Sequence, residues 1–485
     1  MRRLLTLVAL FALSAPLSAQ TTDTERAAAA DVLRQIDALQ ARLDPMGMAT
    51  KLAARKDAKR DAVVARAEAV WNGEMQSLAD HIGHNPEVGW QEHASVDTLT
   101  KVLRSKGFTI EMGVAELETA FVASWDSPAG TAGPTLGLIG EYDALRGTQG
   151  NFHGDQHNAQ TPVAIAAAVA LAEHMTANRV QGRIKLYGTP AEEVGPPAKT
   201  IMHEAGVFDG ADILIRSHSS MGTARARAGF GTCCLNINEV KYVFTGYPSH
   251  QLASWNGRNA LQAAVSFFTT VERLRTTFRP EARIQGVIPE GGVAPNVVPD
   301  RAVVDYYIRY PDEVYLEHVQ QMIDDAARGA ALGMGVKVSI EPYGEYRDGI
   351  TLGTLEEATF AYARKLGAPA LMEEHGPPAG YEETGSVARD IPGVGVSVMS
   401  STGAYHTYQM RDDAFTEVGH TGFRMDAQVM AAVLYDFLTD AKFRAAVKEE
   451  QATLKGLLAQ YHDELRKAYA GEMQGPPIGG AGVGR

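Results

Sequence analysis

The sequence predicts an α/β protein, a three-layer α/β/α sandwich with a small βαββαβ domain inserted in it. Three observations carry this. Between residues 120 and 215, short apolar strand-like runs alternate with segments of helical period. From residue 236 the order becomes strand, helix, two strands, helix, strand, which is the order of a ferredoxin-like unit and a size that can fold alone. After residue 346 the first style resumes. A chain of 485 residues is also long for a single core.

Met1, Arg2 and Arg3, the apolar run 4–13 and the small residues ending at Ala19 have the three parts of a secretory signal, so cleavage after Ala19 and a periplasmic or secreted product are expected. The run is too short to span a bilayer, and no later stretch has the length and apolarity of a span, so no membrane association is expected once the signal is removed. Losing the two arginines takes the formal charge from −13 to −15, which argues against a nucleic-acid partner. The only cysteines, Cys233 and Cys234, are adjacent, and no structural disulfide is expected.

Residues 20–235 and 346–473 are read as the two parts of the larger domain, 236–345 as the insert, and 474–485, glycine and proline with little apolar bulk, as a disordered tail. In order, helical spacing covers 27–43 and 60–82, and a turn at 85–92 leads into a helix over 95–106 ended by Gly107. Strands follow at 120–125 and 135–139, then a nearly all-apolar helix at 161–175, which belongs in a layer buried against a sheet. A strand at 183–187, a helix at 198–205 and a strand at 212–215 complete the first part. In the insert, strands at 236–245, 282–287, 302–309 and 336–340 enclose helices at 259–274 and 313–329. The second part has a helix at 355–366, a strand at 395–399 and a helix at 422–438. No repeat of solenoid period occurs.

The chemistry collects at predicted strand ends, where open α/β sheets place their ligands. Asp155 and His157, two residues apart in a glycine-rich loop, turn toward one point, and a carboxylate can bridge two cations; alone, such a pair is more often a solvated loop. Glu192 and Glu193 end an apolar run. An isolated pair reads first as acids of a surface loop; side by side and free they repel, but they make sense with Glu193 on a metal and Glu192 holding a water as general base. His218 and His406 each follow an apolar strand, and each alone is more often a satisfied buried histidine. Four strand-end positions on one edge read together as a two-metal hydrolase centre.

The succession Gly140-Glu141-Tyr142-Asp143-Ala144-Leu145, His153-Gly154-Asp155-Gln156-His157-Asn158, Gly188-Thr189-Pro190-Ala191-Glu192-Glu193, His218, His406 resembles the aminoacylase/carboxypeptidase family of two-metal amidohydrolases, in its branch of p-aminobenzoyl-glutamate and aminoacyl-dipeptide hydrolases. The likeness covers roughly residues 60–450. It implies two divalent metal ions, zinc or manganese, in a catalytic domain, and an inserted lid that makes a homodimer. By resemblance Asp155 bridges the ions, His157 and His218 complete one, Glu193 and His406 the other, Glu192 is the general base, and Asp143 orients a metal ligand. His153 is expected not to bind metal directly, and either supports a ligand from behind or is structural. That branch carries cysteine and glycine where Asp155 and Gln156 stand, and the harder aspartate shifts preference from zinc toward manganese or cobalt. Arg146 likewise replaces a proline.

In the insert, His250 stands on a Gly/Pro turn and by itself reads as a surface histidine. The resemblance makes it a group that reaches the neighbouring protomer's site and stabilises an oxyanion, with Asn296 and Arg309 as further lid groups; an arginine fork suits a substrate carboxylate. The expected activity is hydrolysis of the amide bond in a small N-acyl amino acid or dipeptide-like substrate. The alternatives are a broader exopeptidase, and a binding protein that has lost the chemistry, which would have no need of Glu192.

Overall fold

The computed structural model describes residues 23–232 and 235–473; the expected signal segment 1–19, the tail 474–485 and the Cys233-Cys234 pair lie outside these residues. The chain opens with helices α1 (Asp23–Leu43), α2 (Pro45–Ala54), α3 (Ala58–Val70), a π turn at Trp71–Met75, α4 (Gln76–His84) and α5 (His93–Ser105). Then come β1 (Thr109–Met112), β2 (Phe121–Asp126), β3 (Thr135–Gly140), α6 (His157–Asn178), β4 (Arg183–Gly188), α7 (Ala198–Glu204), β5 (Ile213–Ser217) and the short β6 (Gly229–Gly231). The insert is β7 (Asn236–Thr245), α8 (Ala260–Leu274), β8 (Arg283–Glu290), β9 (Arg301–Tyr310), α9 (Glu313–Met334) and β10 (Lys337–Tyr346). The chain ends with β11 (Gly349–Thr351), α10 (Gly353–Leu366), α11 (Ser386–Asp390), β12 (Gly393–Val396), α12 (Tyr408–Asp413), α13 (Glu417–Thr439) and α14 (Ala441–Met473).

The α/β architecture expected from the alternation is the one observed. One sheet has the order β1-β2-β4-β3-β5-β12, and its strands β4, β3, β5 and β12 run parallel. Their carboxyl ends therefore share one edge. Leu136, Leu138, Leu186 and Ile215 face a large core shared with α6 and α13, whereas Ile139, Tyr187 and Leu214 face a smaller one with Met202 of α7 and Val387 of α11. This is the two-sided burial that parallel strands need. Helix α6 is buried over nearly its whole length, so its alanines are packing surface on every side. At the end of β3, a Cβ on Gly140 would lie 2.8 Å from Cα of Thr161. Only glycine lets strand and helix come this close, and that closeness sets Glu141 beside the start of α6.

The insert is a separate antiparallel sheet of order β10-β7-β9-β8, the ferredoxin-like arrangement. Helix α8 turns Ala260, Ala263, Ala264, Phe267 and Val271 onto Tyr242, Phe244 and Tyr306. Its first turn is capped by Asn259, which accepts from Gln262 N at 3.0 Å. Where the chain enters and leaves, Asn236 and Asp348 exchange two hydrogen bonds of 2.9 Å.

The elements with no counterpart among those expected from the sequence are α2, β6, β11, α11 and α12, together with β1 and α14, the two that bear most on the packing. Strand β1 is a short, exposed edge, and pairing with β2 is what makes it a strand. Helix α14 runs past the main core, packing against α1, and places Leu465 and Tyr469 in the core of the insert, where Tyr469 donates to Asp312 at 2.9 Å. Among the described residues no helix is long and apolar enough to cross a membrane.

Candidate metal centre

The parallel edge gathers the expected residues. Glu141 and Asp143 follow β3, Glu192 and Glu193 follow β4, His218 follows β5, and His406 lies on the loop after β12. Asp155 and His157 stand where a left-handed residue, Gln156 (φ 57°), turns the loop into α6. The Gln156 side chain is buried; it donates to the carbonyls of Ser400 (3.2 Å) and Met410 (2.7 Å) and accepts from the Ser400 hydroxyl (2.8 Å). A glycine could not make this strut between the Asp155 loop and the loop that carries His406.

His157 is the pivot. Its Nδ1 lies 2.9 Å from Asp143 Oδ1, and the other Asp143 oxygen accepts from Glu193 N at 2.9 Å. Asp143 thus fixes the ring and, with it, the backbone of Glu193. A carboxylate on Nδ1 leaves the Nε2 lone pair for a metal, the usual outer partner of a metal-binding histidine. Nε2 is buried, has no hydrogen-bond partner, and lies 3.3 Å from Glu141 Oε2 and 3.9 Å from Glu192 Oε2. The His218 ring sits 5.9 Å from that of His157. On the outer side, His406 Nε2 is 3.0 Å from Asp155 Oδ2 and 3.5 Å from Glu193 Oε2, and its side chain is 59% exposed. His406 itself is held in the left-handed region (φ 61°), its amide donating to Gly154 O at 3.1 Å.

Glu192 is fixed from both flanks: Glu193 N goes to Asp143, and Ala191 N, in a left-handed residue, donates to buried Glu92 at 2.8 Å. Behind the site lies a buried ionic cluster that the sequence alone did not reveal. Lys199 pairs with Glu141 and Glu383, and Arg216 pairs with Glu383 and approaches Glu141 at 3.4 Å. The only hint in the sequence was an acid closing the buried strand β3 two residues before Asp143.

The electrostatics call for cations. Burial alone would depress His157, yet Glu141, Asp143 and Glu193 hold its pKa well above the imidazole range. Burial, with Glu383 and Glu141 adding to it, pushes the Glu192 carboxyl far up. Glu193 is pushed up to about 7 by burial and by Asp155 and Asp143, against the opposing pull of His157. Among the described residues, six carboxyls, Glu141, Asp143, Asp155, Glu192, Glu193 and Glu383, crowd here with only Lys199, Arg216 and the imidazoles among them. Two groups have ligand atoms all within 4.8 Å of one another, Glu141 with His157 and His218, and Asp155 with His157 and Glu193. Oxygen and imidazole donors of this kind fit zinc, manganese or cobalt.

The three lid residues are not brought to this centre together. His250 and Asn296 are neighbours on the exposed end of the insert, where His250 bridges Val297 and Gln251 N donates to Asn296 O at 3.0 Å. Arg309 is half-buried near the other end of β9, opposite Ile237 at the start of β7.

Fold and site define a metal-binding hydrolase of amide or peptide bonds. The comparisons agree. Residues 235–334 match the peptidase dimerisation domain of the M20 family. Xaa-Arg dipeptidase of Mus musculus is 30% identical over 389 residues, 78% of this chain and 88% of that protein. One of the subunits of p-aminobenzoyl-glutamate hydrolase from Escherichia coli (strain K12) is 33% identical over 314 residues, 61% of this chain and 63% of that one. An aminobenzoyl-glutamate utilization protein of Klebsiella pneumoniae superposes with a TM-score of 0.57 at 18% identity, over 76% of this chain and 97% of that one. A Bacillus subtilis dinuclear metal binding peptidase of the M20 family does so with a TM-score of 0.52 at 20% identity, over 76% and 98%. The chain belongs to the M20 family of peptidases and amidohydrolases.

Proposed function

We propose that this protein is an exported homodimeric enzyme that hydrolyses the amide bond of a small N-acyl amino acid or dipeptide-like substrate at a centre of two divalent ions, zinc first, with manganese or cobalt as alternatives. The observation that carries the reading is the unpartnered, buried Nε2 of His157, set among Glu141, His218, Asp155 and Glu193 with Glu192 beside it. Bound ions would supply polarisation of the substrate carbonyl and acidification of water. Asp155, in the group with His157 and Glu193, is assigned the bridging role. Glu192, fixed on both flanks, accepts the water proton and returns it to the leaving amine. The lid side of the site comes from the partner subunit, with His250 and Asn296 on the exposed end of the insert supplying the oxyanion contact. Arg309 is assigned to a substrate carboxylate.

Dimerisation through the insert is supported by its outer strand β8, which leaves Val287 61% exposed, and by Leu252 and Trp255, both 75% exposed, on the turn after His250. Apolar surface of this kind beside an open strand edge is what a subunit interface covers. The charged n-region and apolar run before Ala19 support export. The relative named a dipeptidase, of which the chain spans 88%, favours dipeptides as a second substrate class. The test is a panel of N-acyl amino acids and dipeptides offered to the metal-reconstituted protein. Chelator-sensitive release of a free amino acid from one class is expected, and no turnover on any member would overturn the reading.

A further inference from the structure

We propose that Glu141 is itself a ligand of the ion held by His157 and His218, with its second oxygen clamped by Lys199 and Arg216. The inference rests on the two-metal reading and adds a ligand to it. Glu141 is fully buried, and its two oxygens have different surroundings. Oε1 faces Lys199 Nζ and lies 3.4 Å from Arg216. Oε2 is turned the other way and has no hydrogen-bond partner, although a buried, charged oxygen left unpaired is costly. It points at the one nitrogen of His157 that is also unpartnered. Asp143 occupies Nδ1, so Nε2 is the ring atom left for an ion, and it stands 3.3 Å from Oε2 with no hydrogen bond at either atom.

That spacing has a simple explanation. Two donors bound tetrahedrally at about 2.0–2.1 Å from one ion stand about 3.3–3.4 Å apart. His218 completes the group. Lys199 and Arg216 do not compete for Oε2, because both are also paired to Glu383, and this fixes them on the far side of the carboxylate. Glu383 is thereby a positioning group for the cations, and the cations for Glu141. The site so formed would have two imidazoles and a terminal carboxylate, one carboxylate more than the family resemblance gives this ion.

The experiment compares wild type, Glu141→Gln and, as a control, Glu193→Ala. Each is stripped and titrated with Zn2+ and Co2+, and bound metal is read by elemental analysis and by the cobalt absorption spectrum, with circular dichroism to check folding. Wild type should bind two ions. Glu141→Gln should lose one, or bind it at least about tenfold more weakly, with a changed cobalt spectrum. A folded Glu141→Gln protein that binds both ions as wild type does, with an unchanged spectrum, overturns the inference and leaves the two-metal reading intact. Wild type that binds fewer than two ions overturns both. Should Glu141→Gln fail to fold, a crystal structure of the metal-loaded wild type decides: Glu141 Oε2 about 2.0–2.2 Å from the ion is expected, and an oxygen beyond about 3 Å refutes the assignment.

Discussion

At the scale of single residues, the proposed mechanism gives the neighbours Glu192 and Glu193 separable tasks. Glu192 stands 3.9 Å from His157 Nε2 with its backbone fixed on both sides, whereas Glu193 belongs to a ligand group. Glu192→Gln is expected to cut turnover by about a hundredfold or more with metal content unchanged. Glu193→Ala is expected to lose metal. Kinetics and elemental analysis on the same preparations separate the two, and near-normal turnover in Glu192→Gln counts against its role. That Asp155, His157, Glu192, Glu193, His218 and His406 would gather at one edge was legible because each stands at or near the end of an apolar run, and parallel strands bring such ends together. Lys199 and Glu383 were not legible. Their meaning lies in an ion pair across 184 positions, and a lysine in a short helix or an acid in a loop carries no local mark of burial. The Gln156 strut shows the same limit, since its partners come from residues 400 and 410.

At the scale of elements, the period of the sequence located the buried strands and helices, with β7 over the very residues expected, Asn236–Thr245. It missed β1, four residues (Thr109–Met112) too short for their alternation to stand out, which pairing with β2 makes a strand. Helix α14 did carry a signal: Phe443, Val447, Leu454, Leu458, Leu465 and Tyr469 are buried at alternating steps of four and seven. That helical repeat is diluted by the charged faces between. Leu138, fully buried in the middle of β3, tests the sheet that aligns the site: Leu138→Ala should cost about 2–5 kcal/mol in denaturant unfolding. Glu313, at the start of α9, ties the insert to α14 through His462 (3.0 Å) and to α11 through Arg389 (2.6 Å). Burial alone would raise its carboxyl, but His462 and Arg389 outweigh this and hold it at about 2, below the ordinary 4.5. A depressed carboxyl stabilises fully above the unfolded value and loses that contribution as pH falls through the folded one. Glu313→Gln should therefore be less stable than wild type by about 3 kcal/mol at pH 7, with the gap closing toward pH 2. Urea midpoints across that range check it, and a gap independent of pH would contradict it.

For the whole molecule, one protomer gathers the metal ligands while His250 and Asn296 sit exposed on the end of the insert. In the proposed homodimer the partner's insert would complete the site. His250→Ala should lose turnover by about a hundredfold or more without losing metal. Mixing it with Glu192→Gln protein should restore part of the activity through hybrid dimers; no recovery despite proven subunit exchange would contradict completion in trans. The domain order was legible in the chain because each sheet has its own rhythm of strands and helices. The crossing of α14 from the main core to the insert was not, since nothing local tells a helix which core it will join. The most direct test of the central claim is stepwise addition of a divalent ion to the metal-free protein, following hydrolysis of a small N-acyl amino acid or dipeptide alongside bound metal. Activity should be absent without metal and should saturate near two ions per chain; full hydrolysis by protein shown to be metal-free would contradict it.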